Sequence, residues 1–183
     1  VSMLDSELMP FIGQEIERAV SANFPDLGSH EVIQGAQPTQ EGTPTVPTII
    51  FIKLPDRTRG WPRTEYKLVD GKSKELMQQL YETTVQVSTL KWQDPNELNE
   101  RVVTASDLLN AIMLSFTMQS SIFRFKASDL NILRVEEVTN EPFENDQHQF
   151  EFHPTFQITF THHRDISANA DATVKVSVEI YEV

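Results

Sequence analysis

Residues 148–163, HQFEFHPTFQITFTHH, constrain the fold more than any other stretch of this chain. Phe150, Phe152, Phe156, Ile158 and Phe160 fall on one parity, and Gln149, Glu151, His153, Thr155, Gln157 and Thr159 on the other. Side chains of an extended segment alternate between two faces, so the run predicts a half-buried strand with an aromatic inner face. Pro154 has no N–H to give a neighbouring strand, which predicts a bulge or a locally unpaired edge there. An aromatic face of that length needs a second layer packed on it.

Helices can supply that layer. Leu4, Leu8, Phe11, Ile12, Ile16, Ala19 and Val20 recur at helical spacing, predicting an amphipathic helix from about Ser2 to Asn23 that ends before Pro25. Pro10 lies inside the pattern and predicts a kink or a later start. In TASDLLNAIMLSFTM, Thr104 followed by Asp107 approaches a capping box. A buried central helix follows at 105–118, with Leu108, Ile112 and Phe116 toward the sheet.

The remaining segments read as strands and loops. TIIFIKL (48–54) and TEYKLVD (64–70) predict two strands framing a hairpin, with an extended tip at 55–63. The YETTVQVSTLKW run alternates and predicts a strand at 81–92, whereas 71–80 fits a short helix or a strand equally well. Strands are expected at about 131–138, 148–163 and 172–182, joined by loops at 139–147 and 164–171 into an antiparallel meander. A flexible loop is expected over 25–47, whose latter part is rich in Gly, Pro, Thr and Gln. With 183 residues the expectation is one domain, 1–183, of the α+β class. Its mainly antiparallel sheet, made of the hairpin, the long strand and the C-terminal meander, would pack with the N-terminal and central helices.

The chemistry of the chain narrows what it can do. Cysteine is absent, which removes disulfides, thiolate metal sites and cysteine nucleophiles and suits a reducing compartment. A formal charge of -12 argues against a general nucleic-acid binder. No run approaches the ~20 apolar residues needed to cross a bilayer. No G-x-S-x-G, HExxH or Gly-rich phosphate loop occurs, and only 6 glycines are present. His148 and His162 fall on the Phe face of the strand and His153 and His163 on the other. Neighbours such as His162 and His163 therefore cannot share a metal ion from a regular strand. The histidines read as parts of a strand, so no catalytic, metal or cofactor site is expected. A metal-dependent enzyme using His153 or His163 with nearby carboxylates stays as the rival reading.

Two charged stretches stand out. Residues 136–151 hold Glu136, Glu137, Glu141, Glu144, Asp146 and Glu151 with no Lys or Arg. They read as a solvated hairpin or as a surface repelling DNA. Against the overall charge, 53–67 carries Lys53, Arg57, Arg59, Arg63 and Lys67 against Asp56 and Glu65. Trp61 sits in its middle. Arg57, Arg59, Trp61 and Arg63 form a candidate interface, since Arg and Trp are enriched at interface hot spots; a merely solvated loop is the alternative.

Helix, long loop, hairpin, alternating strand (TVQVSTLKW), capped apolar helix (TASDLLNAIMLSF) and terminal meander together resemble the tail-terminator or neck proteins of tailed bacteriophages. The likeness covers about 4–182, leaving 25–47 and the basic tip without counterpart. It implies a structural virion protein of the head–tail junction, assembled in the host cytoplasm. Copies would close into a ring, a homohexamer, that caps the tail tube, joins it to the head connector and lets genomic DNA pass without sequence-specific binding. No membrane partner or cofactor is implied. Another head-completion or minor tail protein is the nearest alternative.

Overall fold

The computed structural model describes residues 3–35, 46–69, 72–90, 103–144 and 150–169. Along the chain come α1 (Asp5–Asn23), β1 (Glu31–Gln34), β2 (Thr48–Lys53), β3 (Arg57–Val69) and β4 (Lys72–Leu90). After them come α2 (Ala105–Thr117), α3 (Gln119–Ala127), β5 (Asn131–Val135), β6 (Thr139–Glu144) and β7 (Phe150–Asn169). Helices and a mostly antiparallel sheet make this an α+β fold, as the sequence predicts.

Two very long strands form the spine. β4 and β7 pair antiparallel from Lys74–Asn169 to Ser88–Thr155. Each is flanked by a strand in two pieces. β2 and then β3 run antiparallel to β4 on its free side, from Thr48–Leu90 to Val69–Lys72. β5 and then β6 run along the far side of β7, from Asn131–Thr161 to Glu144–Phe150. β1 adds to β2 as a parallel edge strand.

The helices lie on one face of this sheet. Ile49, Phe51, Val85, Val87, Phe156, Ile158 and Phe160 alternate onto that face and are buried with Leu8, Ile12, Ile16, Leu108, Leu109, Ile112 and Phe116. Phe125 of α3 joins the core through edge-on contacts to Phe11 and Phe116, with centroids 5.5 Å apart in both pairs. α1 comes so close to β2 that a Cβ on Gly13 would sit 3.1 Å from the Phe51 ring. Pro10 is accommodated within α1, where it and Ser6 four residues earlier are both exposed. Thr104 Oγ1 accepts the Asp107 N–H at 3.1 Å and Asp107 accepts the Thr104 N–H at 2.9 Å, so the expected capping box starts α2. Buried Glu15 pairs with Arg124 at 2.8 Å and fastens α1 to α3.

Several expectations are corrected. The strands at 48–54 and 64–70 do not pair with each other: both pair with β4, and residues 57–63 belong to strand β3 rather than to a hairpin tip. Leu54–Asp56 interrupts what is otherwise one edge, which makes a single bordering strand look like two. Segment 72–80 is strand. α3 was not foreseen, and β1 and β6 occupy stretches expected to be loops, 25–47 and 139–147. β7 runs on to Asn169 through the expected loop at 164–171. The predicted strand at 172–182, His148 and the side chains of 141–151 lie outside the described residues.

Candidate functional site

Among the described residues the helical layer ends before the sheet does. Met3 donates its N–H to the His163 carbonyl at 3.3 Å, placing the residues just before α1 beside β7 at that point. Beyond it β3, β4 and β7 continue together, from Arg57, Glu82 and Thr161 outward to Val69, Lys72 and Asn169. At the rise of an extended chain this arm is roughly 35 Å long.

A polar network sits where body becomes arm. Thr83 Oγ1 donates to Asp56 Oδ1 at 2.6 Å and lies 3.0 Å from His162 Nε2. Lys53 Nζ bridges Asp56 at 2.7 Å and Asp5 at 2.6 Å, while Arg164 reaches both carboxylates and covers the Tyr81 ring at 4.7 Å. Because Thr83 gives its proton to the carboxylate, its oxygen accepts from an Nε2–H tautomer of His162. Burial would raise the Asp56 carboxyl, but hydrogen bonds from Lys53 and Thr83 and the charges of Lys53 and Arg164 outweigh it and hold it low. His162 is only 1% exposed; burial, helped by the Arg164 charge, lowers its imidazole and keeps it neutral despite Asp56 and Asp5. The arrangement clamps α1, the β2–β3 junction, β4 and β7 at one point.

Residues directly opposite in an antiparallel pair share a face. Arg57, Arg59, Arg63 and Lys67 face Glu82, Leu80, Gln78 and Lys74, which puts all four cations on the face away from the helices. Arg59 pairs with Glu82 at 2.8 Å, and Glu65 serves both Arg63 and Lys67. The charges around Glu65 lower its carboxyl, led by its hydrogen bond from Lys67. Arg57 makes no ion pair among the described residues. The β3 register breaks between Arg59 and Arg63, where Gly60 takes a φ of 70° that a side chain would oppose. Trp61 stands out of this bulge, 96% exposed.

The other face of the arm carries a strip that sequence reading missed. Met77 opposes Ile166, with Tyr66 diagonal to them. Tyr66 is 68% and Ile166 62% exposed. Met77 shares parity with the core residues Val85 and Val87, so the signal was present, yet nothing showed where the helices would stop. Of the histidines, His162 lies on the Phe face as expected and enters the clamp, whereas His163 is exposed on the opposite face. Among the described residues no group of three or more His, Asp or Glu could hold a metal.

A family model described as E217 gateway protein gp29 matches residues 7–172. The chain belongs to that family. A phage head–tail gateway protein is a structural component of the junction and not a known enzyme family, which agrees with the resemblance to neck proteins at that level. This gateway-family chain is accordingly a phage structural protein of the head–tail junction. No curated protein matches it.

Proposed function

We propose that copies of this chain close into a ring, sixfold in number, that caps the tail tube, joins it to the head connector and lets DNA pass through its opening. The observation that supports this best is the arm. A three-stranded extension that no described helix covers, with Trp61, Tyr66 and Ile166 largely exposed, presents apolar surface of the kind that marks interaction sites. Contacts with neighbours would bury it, and a sheet continuous with the core would hold it rigid.

Ring closure requires head-to-tail contacts, so each copy offers two different patches. In this reading Arg57, Arg59, Trp61 and Arg63 supply one of them, against neighbouring copies or the adjoining virion proteins. The charge of -12 suits a conduit, because Lys and Arg are what grip phosphates. Electron micrographs of the purified protein test the reading: closed rings with a central opening are expected, and single particles or open filaments would overturn it.

A further inference from the structure

A shallow groove of about 520 Å³ runs along the exposed side of α2, lined by Phe24, Val103, Ala111, Leu114 and Met118 together with Asn23, Asp107 and Asn110. Its wall is mainly apolar, and among the described residues its one charged lining residue is Asp107. Leu114 is 55% and Met118 54% exposed, although both are large hydrophobic side chains. Asn23 and Phe24, at the end of α1, close one side.

From this geometry we infer that the groove receives Trp61, with Arg59 and Arg63 beside it, from the next copy of this chain. The inference rests on the ring reading and names its two surfaces. α1 separates them: its first residues touch the base of the arm through Asp5, and its last residues border the groove. At 19 residues that helix is about 28 Å long, so no chain can readily reach its own groove with Trp61 while its neighbour can. Chemistry matches as well. An indole buries ~150–250 Å² and leaves one N–H that an Asn carbonyl oxygen can accept. The two guanidinium groups would meet a rim that, among the described residues, carries the capping carboxylate of Asp107 and no cation. Pro62 and the bulge hold Trp61 outward in advance, which lowers the cost of ordering it.

The absence of cysteine makes the contact directly testable by disulfide trapping in the full chain. Under oxidation, Trp61→Cys combined with Leu114→Cys in one chain is expected to give a covalent ladder ending in the ring. An equimolar mixture of the two single variants should give such a ladder's first rung, the covalent dimer, and Trp61→Cys alone should give none. Trp61→Ala should weaken self-association by at least about tenfold while leaving the melting temperature of the monomer unchanged. Rings that form without the 61–114 crosslink, or that form equally well with Trp61→Ala, would overturn the inference and leave the ring reading standing; the groove would then be open to another virion protein. A wild-type chain that stays monomeric at every concentration would overturn both.

Discussion

His162 shows how much of the candidate site depends on single residues. Its Nε2 meets Thr83, which in turn holds Asp56, and these partners lie 79 and 27 positions apart in sequence. Replacing Thr83 by Val leaves a buried imidazole and a partly buried carboxylate each short of one hydrogen bond, at an expected cost of about 1–3 kcal/mol in denaturant unfolding. The imidazole also sets a pH dependence. Because folding lowers its pKa below the ordinary 6.5, the unfolded chain takes up the proton first as pH falls. Stability is then full above about pH 6.5 and declines below it until the folded-state value is reached. Asp56 acts lower on the scale, its contribution being present above 3.8 and lost as pH falls through its depressed folded value. The denaturant midpoint should therefore drop between pH 7.5 and 5.5 in wild type and drop less in His162→Gln; an unchanged wild-type midpoint would refute the buried neutral imidazole. His163→Gln, on the exposed face, should stay within about 0.5 kcal/mol. The parity of the Phe run and the Thr104–Asp107 pair could be read directly because both are local. The clamp could not, since nothing local ties positions 5, 56, 83 and 162 together.

At the scale of elements, non-local pairing and packing decided what propensity left open. KSKELMQQL at 72–80 is composed largely of good helix formers, yet it is strand because β3 and β7 flank it on both sides. QSSIFRFKA folds as α3 because Phe125 reaches the core and Arg124 finds buried Glu15, contacts that appear only once α1 is in place. The short β1 pairs in parallel with β2, a non-local contact that four polar-flanked residues do not announce. Pro55 lies in the short interruption between β2 and β3, and Pro142 pairs with Phe152 within β6. The central helix, by contrast, was readable from its cap and its apolar periodicity. Ile112 is fully buried, so Ile112→Ala should cost about 2–5 kcal/mol. Thr104→Ala removes the cap and should cost about 1 kcal/mol, measured in the same denaturant titration.

For the whole molecule, the uneven coverage of the sheet is the feature that points outward. Helices cover the sheet over the body and stop at the clamp, and the composition of the arm shifts there from apolar to mixed. Sequence reading placed an interface at Arg57, Arg59, Trp61 and Arg63 but imagined a loose tip; a paired edge strand offers the same side chains in fixed order. If these residues join neighbours, Arg57→Glu with Arg59→Glu should weaken assembly and make it more salt-sensitive, while thermal stability stays close to wild type. The most direct measurement is the mass of the wild-type chain in solution by light scattering, followed across protein concentration. A rise from the 20.9 kDa monomer to one discrete, closed multiple of it is expected, with six copies as the proposed number. A mass fixed at one chain at all concentrations, or one that grows without limit, would show that this chain does not make a ring.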